Sequence, residues 1–82
     1  MHDLMANQLR PMSHKNVIKA LAKLGFNPVR QKGSHLVLQH SDGRMTVVPI
    51  HGNEEIGRGL LLKIIRDGKV SKEEFLAILD EI

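Results

Sequence analysis

A histidine within a short basic segment is the residue of this chain best suited to acid–base chemistry. His35 follows a Gly-Ser step, and the cations Arg30 and Lys32 precede it at alternate positions. An imidazole can take and return a proton near neutral pH, and a cation beside it can hold a phosphate. These two parts suffice for metal-independent cleavage of RNA. The imidazole would remove the proton of a 2′-hydroxyl, and the cations would offset charge developing on the attacked phosphate.

The Gly-Ser step itself fits the same chemistry. Gly33 permits close approach of the backbone to a ligand, and the two amides with the Ser34 hydroxyl can donate to a phosphate oxygen. The alternative is a turn glycine and a turn serine beside an exposed histidine, and spacing alone favours that alternative. Ser34 as a hydrolase nucleophile lacks the G-x-S-x-G context and an evident orienting carboxylate.

Two further histidines follow in the chain. His51 comes directly after Pro49-Ile50, where it can fix a loop, contact a substrate or act as a second proton donor, and the loop role is the simplest. His40, at the edge of a turn, is interpreted as a surface residue. Because the chain has no cysteine and no H-x-x-x-H pair, we predict neither a metal site nor a cofactor.

Three apolar runs that can form strands position these residues. In the second run Leu36 and Leu38 alternate with His35, so a core on the leucine side leaves the histidine in solvent. The pair Asp42-Gly43 predicts a two-residue hairpin loop between the last two strands. The predicted strands cover residues 26–31, 35–40 and 45–50.

Helical periodicity flanks the strands on both sides. Ser13 is predicted to cap a first helix that Gly25 ends, and a second helix is predicted over residues 56–67. Ser71, with Glu74 three residues on, forms a capping box for a short third helix. Three lysines at steps of four align on the first helix as either a solvated face or a phosphate-tracking ridge. They are Lys15, Lys19 and Lys23.

This order of elements predicts an α+β fold in two layers. A three-stranded antiparallel sheet is covered on one face by helices, in the order α-β-β-β-α-α, and His35 lies on the open face. Eighty-two residues leave no room for a second module. We predict a flexible lead-in over residues 1–12 and a single domain over residues 13–82.

Composition points to a polyanionic partner. Residues 1–70 hold 11 Lys and Arg against 5 Asp and Glu, whereas residues 71–82 hold 1 against 4. A basic body favours nucleic acid, and two Phe without Tyr or Trp argue against base stacking on an aromatic platform. Since the chain has no cysteine and no apolar run of membrane-spanning length, we expect a cytoplasmic location and no membrane partner.

Several motifs together resemble the HicA toxins, small mRNA interferases of type II toxin–antitoxin systems. The matching residues are Leu24-Gly25-Phe26, Arg30-Gln31-Lys32-Gly33-Ser34-His35, Asp42-Gly43-Arg44, Val48-Pro49-Ile50-His51, Gly59 with Leu60 and Ile64, and Ser71-x-x-Glu74-Phe75-Leu76. The resemblance implies that His35 is catalytic and that the fold is similar to the double-stranded RNA-binding domain. It also implies an mRNA substrate and a HicB-like antitoxin that blocks the active surface. Two features depart from the family: Leu36 stands where many members have a second histidine, and residues 1–11 precede the usual start.

The expected function is therefore a toxin that cleaves mRNA without a metal. His35 acts as general base or acid, Arg30 and Lys32 bind phosphate, and Gly33-Ser34 shape the site. The first alternative is a non-catalytic module of the same fold that binds double-stranded RNA in a salt-sensitive way. The second is a pure interaction protein whose basic surface serves an acidic partner and which does not bind RNA at low salt.

Overall fold

The computed structural model describes residues 9–52 and 55–82, which form three helices and five strands in two sheets. In chain order the elements are β1 (Met12–Ser13), α1 (His14–Lys23), β2 (Phe26–Lys32), β3 (His35–His40), β4 (Met45–Pro49), β5 (Glu55–Ile56), α2 (Arg58–Asp67) and α3 (Lys72–Leu79). The main sheet is antiparallel with the order β2-β3-β4, and β1 pairs with β5 in a small second sheet. The predicted α+β class with a three-stranded antiparallel sheet is confirmed.

The hydrophobic core lies between the helices and one face of the main sheet. In β4, Thr46 and Val48 are buried while Met45 and Val47 between them are exposed, which is the alternation of a strand with one covered face. The hydroxyl of Thr46 donates to the carbonyl of Ile64 at 2.8 Å, so this buried polar group is satisfied by α2. The other large core residues are Phe26, Leu38, Val17, Leu21, Leu61 and Phe75.

The first helix begins and ends where the sequence predicts. The Ser13 hydroxyl accepts from the amide of Asn16 at 3.2 Å, and Gly25 follows the helix with φ +98°. A Cβ atom on Gly25 would lie 2.7 Å from Nε2 of His40. Both the left-handed backbone and this close approach therefore require glycine at the turn into β2.

The second helix begins two residues later than predicted. Ile56, which we assigned to the helix, instead belongs to β5, pairs with Met12 and is buried. Gly57 is the N-cap residue, and its extended backbone separates the strand from the helix. The reason for the error is that the pairing with β1 comes from a segment 44 residues earlier in the chain, which local periodicity does not contain. The capping box of Ser71 and Glu74 at α3 is present as predicted.

The loop between β3 and β4 also differs from its prediction. The amide of His40 donates to the carbonyl of Arg44 at 2.8 Å, so the loop has three residues rather than two. Gly43 has φ +99°, whereas Asp42 does not have positive φ. This matches a turn closed by a left-handed glycine, the next most common hairpin connection. Asp42 is used differently, because its carboxylate accepts from the Arg44 amide at 3.0 Å.

Residues before the predicted domain boundary at residue 13 pack against the rest of the fold. Leu9 is buried in the core, and Met12 pairs with Ile56 in the small sheet. The last part of the predicted lead-in thus belongs to the fold, because an apolar side chain there finds a buried place. The remainder, residues 1–8, lies outside the described residues. Within the described part of the chain, none of the helices has the length and apolar character needed to cross a membrane.

Candidate active site

A tight turn at Gly33-Ser34 places Lys32 directly opposite His35. The two residues pair across β2 and β3, and Gly33 between them has φ +60°, which a two-residue hairpin requires at its first central position. The Gln31 side chain donates to the Gly33 carbonyl at 3.1 Å. Directly paired residues of antiparallel strands point to the same face, with Cβ atoms about 4.5–5.5 Å apart. The side chain of Lys32 therefore projects from the sheet beside the imidazole of His35.

His35 stands on the open face of the main sheet, as predicted. Its side chain is exposed, while Leu38 on the opposite parity is fully buried and Leu36 packs partly against the core. On its other side, His35 pairs with Pro49 of β4. The ring thus lies in solvent between a lysine and a proline.

Arg30 shares the open face with Lys32 and His35. It lies two residues before Lys32 and pairs with Val37, which is on the face of His35. Pro28, two residues earlier, pairs instead with Leu38, which points into the core. The extra residue, Val29, shifts the register and reverses the faces, which is the effect of a β-bulge. The bulge therefore lets the start of β2 contribute Phe26 to the core while its end presents both cations to solvent.

His51 lies close to His35 although it belongs to a different element. The ring centroids are 6.5 Å apart and the ring planes are inclined by 69°. The chain leading to His51 is held next to the hairpin, because the amide of Ile50 donates to the Ser34 carbonyl at 2.7 Å. The structure thus gathers all six sequence candidates at one end of the sheet: Arg30, Lys32, Gly33, Ser34, His35 and His51.

The sequence did not single out His14, which ties the His51 loop to the start of α1. Nε2 of His14 lies 2.9 Å from the carbonyl oxygen of Gly52. Because a carbonyl only accepts, Nε2 carries the hydrogen in this bond. Nδ1 of the same ring is buried and has no hydrogen-bond partner among the described residues. The contact spans 38 residues of sequence, so no local pattern could have revealed it.

His40 has a structural position rather than that of a free surface residue. Its ring meets the edge of Phe26 with centroids 5.3 Å apart, and its Nδ1 accepts from the amide of Asp42 at 3.1 Å. The Arg44 guanidinium lies 5.2 Å from the Phe26 centroid. The hydrogen bond from the Arg44 amide, helped by its guanidinium, lowers the pKa of Asp42 below the usual range of a carboxyl. These contacts stabilise the β3–β4 loop, away from His35.

The open face is basic at one end and apolar along its middle. Met45 and Val47 are each 41% exposed, and Val47 pairs with Val37, which is 8% exposed. Val29, in the bulge of β2, is 54% exposed. Such a mixed surface can take a charged chain at the basic end and an apolar partner beside it. Among residues 9–52 and 55–82, no three His, Asp or Glu side chains converge as metal ligands do.

The site therefore combines two neighbouring imidazoles with two cations in open solvent. One imidazole can remove a proton while the other donates one, and the cations can hold an anionic group between them. This is the set of groups that the transfer of a phosphodiester to a neighbouring hydroxyl requires.

Comparisons with known proteins place the chain in a family. No curated protein matches this sequence significantly. A family model described as the HicA toxin of bacterial toxin–antitoxin systems matches residues 15–70. The matched part is more than half of the chain and contains the whole main sheet with both histidines of the site. The protein thus belongs to the HicA family of bacterial toxins, and an antitoxin is its implied partner.

Proposed function

We propose that the protein is a metal-independent endoribonuclease that acts on mRNA, with His35 as the catalytic residue. The observation that carries this proposal is the position of His35: exposed on the open face, opposite Lys32 and 6.5 Å from the ring of His51. The family gives independent support, since its members are toxins and a toxin that destroys mRNA stops protein synthesis. mRNA as substrate also makes the cytoplasm the site of action.

In the proposed reaction His35 accepts the proton of a ribose 2′-hydroxyl. The 2′-oxygen forms a bond to the adjacent phosphorus, and the bond from phosphorus to the 5′-oxygen of the next nucleotide breaks. His51, in its protonated form, gives a proton to that leaving oxygen. The products are a 2′,3′-cyclic phosphate and a 5′-hydroxyl, so the atoms balance without water, metal or cofactor.

The spacing of the two rings suits this division of roles. Each imidazole must reach its oxygen through a hydrogen bond of about 2.6–3.2 Å. With centroids 6.5 Å apart, both rings can contact one phosphodiester, whereas rings in direct contact would leave no room for it. Because the attacking and leaving oxygens lie on opposite sides of phosphorus, a base and an acid on separate elements fit an in-line displacement.

The cations and the turn bind the phosphate. Lys32 and Arg30 offset the charge that develops on the non-bridging oxygens, and an exposed arginine fork can hold two of them. The Ser34 hydroxyl and the turn amides are further donors on the same side. Gly33 has open space around its Cα, with no atom within 4 Å of a Cβ placed there, so a phosphate can approach the backbone closely.

A HicB-like antitoxin would inhibit by covering this face. The exposed apolar residues of β4 run from Val47, near the basic end, to Met45 at the far end, so one partner can bury this apolar strip and pair with the cations at once. The antitoxin would then exclude RNA by occupying its site.

Cleavage of RNA in the presence of a chelator tests the proposal. We expect purified protein to cut RNA and leave 2′,3′-cyclic phosphates, and His35→Ala to lose this activity while it keeps the fold and binds RNA. Gln39→Ala is the matched control, since Gln39 lies on the same strand and the same face but at the far end. Salt-sensitive binding of duplex RNA without cleavage would instead identify a binding module. Equal cleavage by His35→Ala and wild type would end the catalytic assignment.

A further inference from the structure

A small cavity opens beside His51. Its volume is about 110 Å³, and Pro49, His51, Glu55, Ile56 and Leu60 line it. The end of β4, the short strand β5 and the first turn of α2 meet there. Leu60, 39% exposed, is a large apolar side chain left partly in solvent at the cavity.

The cavity is continuous with the proposed active site. Pro49 is the cross-strand partner of His35, and His51 belongs both to the site and to the cavity wall. A phosphodiester held between the two imidazoles therefore carries its neighbouring nucleotide toward this opening. The apolar side chains that line the cavity, Pro49, Ile56 and Leu60, can make van der Waals contact with the flat face of a nucleobase.

The cavity takes one edge of a base. An apolar cavity of about 150 Å³ accepts benzene. The partly open cavity is smaller, about 110 Å³, so a six-membered ring enters it in part, with the attached ribose outside.

The polar wall selects the edge of that ring. Glu55 lines the cavity, and among the ion pairs of the described residues it takes part in none. An ionised carboxylate accepts hydrogen bonds and cannot donate them. Cytosine presents an N4 amino group that donates to a carboxylate, whereas uracil presents its O4 acceptor at the same position.

We propose that this cavity is a cytosine subsite of the ribonuclease, with the N4 amino group of the base bound to Glu55. The inference rests on the proposed function for its catalytic consequence, which is that cleavage occurs next to cytosine in preference to uracil. Leu60, which is partly exposed, contacts the ring, and Glu55 determines which pyrimidine is accepted.

Oligonucleotides that contain one ribonucleotide linkage test the preference. With wild type we expect kcat/KM to be about tenfold or more higher beside cytosine than beside uracil, since one base-specific contact discriminates by this much or more. Glu55→Gln should bring the ratio close to one, because an amide both donates and accepts. Glu73→Gln, an exposed acidic residue of α3, is the matched control and should keep the wild-type ratio. Equal rates beside cytosine and uracil in wild type, or a ratio that Glu55→Gln leaves unchanged, would overturn the subsite.

Binding of mononucleotides separates this inference from the proposed function. Titration with cytidine monophosphate should shift the NMR methyl signals of Ile56 and Leu60 in wild type and in His35→Ala. Uridine monophosphate should shift them less, and Glu55→Gln should abolish the difference. If RNA is not cleaved but these shifts appear, the nuclease proposal fails and the subsite stands. If His35 is required for cleavage but cytidine and uridine act alike, the subsite is wrong and the nuclease proposal stands.

Discussion

The bond between His14 and Gly52 gives the sharpest mutational prediction for the site. His14→Ala removes the hydrogen bond of 2.9 Å that joins the start of α1 to the loop carrying His51. The other contacts that hold this region, such as the bond from the Ile50 amide to Ser34, stay in place. The substitution should therefore release the loop beyond residue 50 without unfolding the sheet.

The size of the effect follows from the type of bond. A net contribution of about 0.5–1.5 kcal/mol is usual for one intramolecular hydrogen bond. At room temperature this range changes the equilibrium between bound and released loop by roughly twofold to tenfold. If His51 donates the proton to the leaving oxygen, kcat should fall by up to the same factor. KM should change little, because Lys32 and Arg30 on the main sheet are untouched.

Single-turnover cleavage by four proteins measures this effect: wild type, His14→Ala, His51→Ala and the double variant. The double variant should cleave no more slowly than His51→Ala, because His14 is proposed to act only by positioning His51, which is absent from both variants. His14→Gln should recover part of the rate because its amide nitrogen can donate to Gly52. Asn16→Ala, an exposed change in the same helical turn, is the control. A loss from His14→Ala that is equally large in both backgrounds would refute the positioning role.

Three further predictions concern the loops and the open face. Gly25→Ala should lower stability by more than Gly43→Ala, because both glycines have φ near +98° to +99° but a Cβ meets His40 only at Gly25. We expect each substitution to lose about 1–2 kcal/mol through the left-handed backbone, and Gly25→Ala to lose more through the clash. Equal urea midpoints for the two variants would contradict the contact with His40. Asp42→Asn should lower Tm at neutral pH but not in strong acid: the pKa of Asp42 is lowered in the folded protein, so its stabilisation is present above the ordinary carboxyl range and lost as pH falls through the lowered value. A Tm difference that persists in strong acid would argue against this linkage. Met45→Asp should weaken antitoxin binding in calorimetry while RNA cleavage is retained, and an unchanged affinity would place the antitoxin elsewhere.

Local chemistry was enough to predict most of the fold. Ser13 and Ser71 cap their helices because each hydroxyl accepts from the backbone amide three residues further on, which has no partner within the helix. This contact is local, so it can be predicted without knowledge of the rest of the chain. The position of Lys32 opposite His35 also follows locally, since the two-residue turn between them fixes the register. The α+β class then follows from the order of the elements.

What the sequence could not provide depends on contacts between distant segments. Ile56 was assigned to a helix because its pairing with Met12 is not visible in a local window. The bulge at Val29, which lets Phe26 face the core while Arg30 faces solvent, has no local signal in the sequence. The contact of His14 with Gly52 joins the start of α1 to a loop that only the complete fold brings near it. The types of the candidate residues can be named from the sequence, whereas their convergence at one end of the sheet also depends on the contacts of the complete fold.

The central claim is that the His35 imidazole takes the proton of a ribose hydroxyl, and one substrate tests it most directly. An oligonucleotide of deoxynucleotides with a single ribocytidine has one 2′-hydroxyl, and mass spectrometry can identify the ends that cleavage leaves. In chelator, wild type should cut only after the ribonucleotide and leave a 2′,3′-cyclic phosphate, and His35→Ala should leave the strand intact. Cleavage of the all-deoxy strand, a 3′-hydroxyl with a 5′-phosphate, or full activity of His35→Ala would contradict the account.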